Sequence, residues 1–196
     1  MKGLTTALLG LCFCMSVHAG PQQQLTVDDI VELTRYNQAG ADGEPSLRGM
    51  SITTRTPKGG VDDLSQRYIR SVVDDEGRTH HQVLLQVRYV GGWRFYRSAR
   101  LLLEIDDLPF NAEERRFSRC TSAFLNCDHR EVVTAEITRM QLEEALGRGL
   151  DVRFETKKPG EDTLVHFPAA YIKAYLIKLD GKEAVKPHGF AMASNG

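Results

Sequence analysis

Between His81 and Val90 the chain alternates with a period of two: Val83, Leu85, Val87 and Tyr89 fall on one side, Gln82, Gln86 and Arg88 on the other. An extended backbone sends successive side chains to opposite faces, so this run predicts a half-buried β-strand and not a helix. Gly91-Gly92 then breaks the run as a hairpin turn or a bulge. The same punctuation recurs along the chain. Met50, Ile52, Thr54 and Thr56 alternate with Ser51, Thr53 and Arg55 up to Pro57 and Gly59-Gly60, and Arg67–Val73 runs into Asp74-Asp75-Glu76-Gly77. Ala99–Ile105 and Arg115–Cys120 read as strands joined across Asp106-Asp107-Leu108-Pro109. Glu131–Ile137 follows, and Val152–Thr156 and Thr163–Phe167 form a hairpin over Lys158-Pro159-Gly160-Glu161-Asp162.

Helix signals are fewer. Thr26 is an N-cap, with Asp28 and Asp29 at the positive end of the dipole; Ile30 and Leu33 share a face that extends to Val27 and Tyr36, so a short helix is predicted to end near Asn37. Thr138-Arg139-Met140-Gln141 is a capping box opening a helix that stops at Gly147 or Gly149. Pro168 suits the first turn of a last helix with Tyr171, Leu176 and Leu179 on its apolar stripe. About eight short strands at hairpin spacing with three short helices predict a mainly β (α+β) fold: an antiparallel β-sandwich or a partly open barrel. No repeat or linker divides it, so residues 20–181 are read as one β-rich domain and 182–196 as a flexible tail.

The N-terminus predicts export. Lys2 gives a basic start, Leu8 to Val17 an apolar segment, and Val17-His18-Ala19 small residues at the two positions a signal peptidase reads, with cleavage after Ala19. The apolar run is shorter than the ~18–20 residues that span a bilayer. Cys12 and Cys14 follow the bulky Leu11 and Phe13, a poor context for a lipid-acceptor cysteine; an uncleaved, anchored N-terminus is the remaining alternative. No later segment is a transmembrane candidate. Cleavage leaves Cys120 and Cys127 as the only cysteines, and an oxidising compartment favours pairing them. Their spacing is not the C-x-x-C of disulfide exchange, and two cysteines alone do not close a zinc site. With 26 acidic residues against 25 basic ones the chain has no field for polyanions, which argues against non-specific nucleic-acid binding.

The densest aromatic and cationic stretch is Trp93-Arg94-Phe95-Tyr96-Arg97-Ser98-Ala99-Arg100. On a strand, Trp93 and Phe95 face one way and Arg94 and Tyr96 the other. One reading carries the buried stripe on through Trp93 and Phe95, with arginines reaching outward. The other makes Arg94, Tyr96 and Arg97 a ligand platform, rings for stacking and guanidiniums for a carboxylate or phosphate. His80 and His81 are adjacent, so on a strand they point to opposite faces and do not chelate one metal together. His129, His166 and His188 are isolated, with no H-E-x-x-H or H-x-H spacing, and no metal or cofactor is expected. G-x-S-x-G, P-loop and G-x-G-x-x-G motifs are absent, so no catalytic residue is assigned. Asp62-Asp63, Asp74-Asp75 and Asp106-Asp107 lie beside turns, where carboxylates cap and solvate; Arg115, Arg116 and Arg119 read as a solvated face offset by Glu113 and Glu114.

From Trp93 to Leu176 the chain carries Trp93-Arg94-Phe95-Tyr96, Ser98-Ala99, Cys120 and Cys127 ahead of Glu131, and Phe167-Pro168 through Leu176. This order resembles a pattern in small bacterial secreted proteins of uncharacterised activity. The same half is distantly similar to the invasion-associated locus B group of small exported β proteins, although the cysteines stand further apart here and that group's closing G-F segment is missing. The resemblance implies an exported, β-rich protein and no activity. The expected function is therefore a non-catalytic periplasmic or secreted module that binds a protein, a peptide or an envelope glycan through a sheet edge or loops. The alternative is an envelope-directed hydrolase with its residues dispersed in sequence.

Overall fold

The computed structural model describes residues 25–37, 45–58, 61–120 and 127–183. The expected signal peptide 1–19, residues 184–196 of the expected tail 182–196 and residues 121–126 between the cysteines lie outside the described residues, while 182–183 belong to α3. The elements are α1 (Val27–Leu33), β1 (Arg35–Asn37), β2 (Ser46–Arg48), β3 (Ile52–Lys58), β4 (Val61–Val73), β5 (Thr79–Gly91), β6 (Tyr96–Leu101), β7 (Asp107–Leu108), β8 (Phe110–Cys120), β9 (Cys127–Ile137), α2 (Arg139–Glu144), β10 (Leu150–Thr156), β11 (Thr163–Phe167) and α3 (Ala169–Glu183).

The strands make two antiparallel sheets. One runs β1-β2-β4-β5-β9-β8, with β3 also paired to β4; the other runs β11-β10-β6-β7. The fold is mainly β with three helices, sandwich-like, and not closed into a barrel. Register explains the core. Ile69, Val83 and Ala135 stand side by side on β4, β5 and β9, and Leu85 lies beside Val133. These residues are fully buried, as are Val152 and Phe154 of β10 and Tyr171, Ile172 and Tyr175 of α3. The apolar stripe of β5 thus meets both the second sheet and α3.

Strands are longer and more numerous than the periodicity predicts. β3 continues through Pro57 because it pairs on one side only, with β4, where a missing N–H breaks no ladder. Helix α1 keeps its expected N-cap, Thr26, which Asp29 completes into a capping box, but the helix stops at Leu33. Thr34 turns extended (φ −80°, ψ 120°) with its hydroxyl donating to the Ile30 carbonyl, and Arg35–Asn37 joins the sheet beside β2. The capping box of α2 is present as expected, Thr138 with Gln141.

Strands β2 and β3 lie end to end along β4, and the gap between them is bridged by a side chain. The Tyr171 hydroxyl accepts from the Ile69 N–H (3.2 Å) and donates to the Met50 carbonyl (2.8 Å). Gly49 makes room for it: a Cβ there would lie 2.3 Å from the Tyr171 oxygen.

Candidate functional site: a buried carboxylate beneath a polar cleft

The face that is apolar at Ile69 becomes polar a few residues away. In the row where Ser65 neighbours Val87, the next strand contributes Glu131, whose side chain is wholly buried. Glu131 occupies the inward position that Val133, Ala135 and Ile137 take further along β9. Burying a carboxylate is costly unless donors surround it, and here four do. The Tyr89 hydroxyl donates to Oε1, as does the Phe95 N–H (3.1 Å); the Tyr96 N–H (3.3 Å) and Arg115 Nε (3.2 Å) donate to Oε2. The backbone is bent to allow this. Phe95 has φ +52°, in the left-handed region, and two successive N–H groups converge on one anion.

Trp93 and Phe95 lie opposite Arg94 and Tyr96, as expected, but the side that faces inward is reversed. Arg94 and Tyr96 are buried, at 6% and 0% exposure, while Phe95 is exposed and Trp93 half-buried. Gly91-Gly92 ends the regular strand, and β6 restarts at Tyr96 with a register shift that leaves Arg97 as the extra residue opposite β10. Trp93 and Phe95 are therefore not the continuation of the β5 stripe. Trp93 instead packs on His129 (ring centroids 4.2 Å) and on Phe95 (5.5 Å). Of the expected platform residues only Arg97 is exposed, so Arg94, Tyr96 and Arg97 do not form one surface.

Arg94 is the hub. Its guanidinium lies over the Tyr89 ring (4.2 Å), ion-pairs with Asp63, and places Nε 3.3 Å from Glu161 of the β10–β11 turn. Its N–H donates to the Tyr89 hydroxyl (2.9 Å), which extends the chain of bonds to Glu131. Burial pulls the guanidinium down, but the hydrogen bonds to Asp63 and Tyr96 outweigh it and leave Arg94 raised. Burial, then the bond to Glu131, pushes the Tyr89 hydroxyl well above its ordinary range. Tyr96 is raised by burial against the opposing bond to Thr163 (2.6 Å).

Above Arg94 a cleft of about 510 Å³ opens between the inner face of β3–β4 and the β10–β11 hairpin. Thr54, Thr56, Ser65, Arg67 and Thr163 line it, with Asp63 and Glu161 held at its floor by Arg94. Asp63, expected beside a turn, lies in β4 and reaches this floor; Arg115 is exposed as expected, and it also binds Glu131 and the Tyr96 carbonyl (2.7 Å). The signal for Glu131 and Arg67 is visible in the sequence as a charge at an inward parity position, but nothing local distinguishes it from a register slip.

A second concavity, a groove of about 590 Å³, lies between the β6–β7 loop and α2. His80, Glu104, Asp106, Asp107 and Glu136 line it. Beside it the loop exposes Leu103 (73%) and Ile105 (92%), and the N-terminal turn of α2 exposes Met140. Gln141 donates to Glu104 (3.2 Å), tying the loop to α2. The two adjacent histidines do point apart: His80 bonds Asp74 (2.9 Å), and His81 bonds Ser71 (2.7 Å), whose hydroxyl also meets that of Tyr175 inside the core. Among the described residues no group of three or more His, Cys, Asp or Glu is placed to hold a metal ion, and no helix is long and apolar enough to cross a membrane. Cys120 and Cys127 stand directly opposite each other where β8 pairs with β9. No family model, curated protein or solved structure matches the chain.

Proposed function

We propose that the protein is an exported, non-catalytic binding module, acting in the periplasm or outside the cell, that captures a protein segment with apolar side chains and a basic flank. The observation that carries this is the exposed Leu103–Ile105 loop beside the groove rimmed by Glu104, Asp106, Asp107 and Glu136. Large aliphatic side chains at a loop tip are disfavoured in water unless a partner covers them, and the carboxylates around them favour a cation on that partner. The carboxylates of the other concavity are engaged internally, Asp63 and Glu161 by Arg94, Asp162 by the Thr156 N–H (3.0 Å) and Glu131 by four donors. That favours binding over the alternative of envelope-directed hydrolysis, which needs an uncommitted acid–base pair.

Export and the pairing of Cys120 with Cys127 belong to the same proposal, motivated by the N-terminal segment, the likeness to exported β proteins and the facing positions of the cysteines. Closing so short a loop adds about 2–3 kcal/mol. Intact mass of protein recovered from the periplasm tests both, with Gly20 as first residue and no free thiol expected.

The binding reading is tested with tagged mature protein in envelope extract and with a fluorescent Lys–Leu amphipathic peptide. Leu103→Ser/Ile105→Ser should abolish both interactions without changing the melt, and Asp106→Asn/Asp107→Asn should weaken the peptide about tenfold. Unchanged capture by the first double variant overturns the reading.

A further inference from the structure

The polar cleft contains two arginines, and their surroundings differ. Arg94 has Asp63 and Glu161 against it. Arg67, on the inner face of β4 next to the fully buried Ile69, has neutral acceptors only: Nη1 donates to the Thr54 hydroxyl (2.8 Å) and Nε to the His166 carbonyl (3.3 Å). Among the described residues no carboxylate lies within ion-pairing distance of it, and Nη2 has no acceptor. A half-buried guanidinium in this position has lost part of its water without gaining a counter-charge, and burial accordingly pulls its pKa down. The cation is oriented by its two hydrogen bonds, so it is held ready for an anion and not free to swing away.

The rest of the lining says what kind of anion fits. Thr54, Thr56, Ser65 and Thr163 present hydroxyls, the lining carboxylates are taken up elsewhere, Asp63 and Glu161 by Arg94 and Asp162 by the Thr156 N–H (3.0 Å), and no Trp, Tyr or Phe ring lines the cleft. The volume of about 510 Å³ falls in the range of small-molecule sites. We propose that Arg67 anchors the carboxylate of a hydroxyl-bearing small acid, of the sugar-acid (uronate) class, whose hydroxyl groups bond the threonine and serine side chains around it. This site is separate from the apolar loop and does not rest on the function proposed for that loop.

The test follows the Arg67 Nε–Hε resonance of the full protein during titration with D-glucuronate, D-glucose, acetate and acetyl-dialanine. A saturable shift with glucuronate at least tenfold tighter than with acetate, and none with glucose, is expected. Arg67→Gln, read through neighbouring backbone amides, should lose it; Thr56→Val, which leaves the guanidinium and its two bonds in place, should weaken it several-fold. Glucuronate binding no tighter than acetate overturns the proposal, and so does tighter binding of acetyl-dialanine, which would make the site one for peptide carboxylates. Should Arg67→Gln melt too low to measure, Thr56→Val decides: unchanged affinity in that variant overturns the assignment.

Discussion

At one end of the inner sheet face, Ile69, Val83 and Ala135 stand in a row under α3; at the other, Ser65, Val87 and Glu131 stand in a row under Arg94 and the polar cleft. The strands and register are the same. The first row is held by apolar burial, which has no direction and tolerates small adjustments. The second is held by directed bonds, in which each buried group depends on a named partner. Arg67, in the row between them with Leu85 and Val133, marks the boundary. One sheet can therefore carry a core and a site on a single face, provided a wholly buried charge such as Glu131 is met by donors.

The sharpest way to break this comparison is to remove Glu131. Glu131→Ala leaves Arg115, two backbone N–H groups and the Tyr89 hydroxyl facing a void, and should cost about 3–5 kcal/mol in denaturant melts. Val133→Ala, two residues along the same face, should cost about 2 kcal/mol through a cavity alone. A Glu131→Ala protein no less stable than Val133→Ala would show that the buried carboxylate organises nothing. At the apolar end, Gly49→Ala forces a Cβ against the Tyr171 hydroxyl and should cost about 1–3 kcal/mol. The penalty should shrink in a Tyr171→Phe background, and a double-mutant cycle with no coupling would separate the two residues.

How far the sequence leads differs between the two ends for the same reason. The alternation of Val83, Leu85, Val87 and Tyr89, the Thr26 N-cap, the Thr138 capping box and the 163–167 strand are set by neighbours in the chain, and each appears where expected. The polar end is set by contacts between distant segments. Glu131 meets Tyr89 and Phe95, and Arg94 meets Asp63 and Glu161, none close in sequence. The pattern through Trp93–Arg100 misleads because the Gly91-Gly92 break and one extra residue, Arg97, reset which parity faces inward. A charge at an inward position, as at Glu131 and Arg67, is the trace such a site leaves in a sequence; its partners become visible only in three dimensions.

A pH series sharpens the comparison further, since both ends contain tyrosines raised above their ordinary range, chiefly by burial: Tyr89 at the polar end, Tyr171 and Tyr175 on the buried face of α3. An unfolded tyrosine ionises near pH 10 while these stay protonated in the folded protein. The unfolded state then releases a proton that the folded state keeps, so stability is complete below about pH 10 and falls as pH rises beyond it. Each such group contributes a slope of up to about 1.4 kcal/mol per pH unit. Tyr175→Phe should flatten the alkaline limb by one group's share while costing about 1 kcal/mol at pH 8, where the Ser71 hydroxyl loses a partner. An unchanged alkaline limb would mean that the Tyr175 hydroxyl is not held neutral.

The smallest effects are expected at the rim, and they separate enclosure from contact. Trp93 is half-buried against His129 and Phe95 rather than enclosed by the core. Trp93→Ala should cost about 1–2 kcal/mol, below the ~3–5 kcal/mol of a fully buried aromatic ring. Arg97, the extra residue of β6, is exposed, and Arg97→Ala should stay within about 0.5 kcal/mol of the parent. Both are read from paired urea melts with a common slope. A Trp93→Ala loss equal to that of a core ring would place the aromatic segment inside the polar end, and the boundary between site and surface would then lie beyond Phe95 instead of at it.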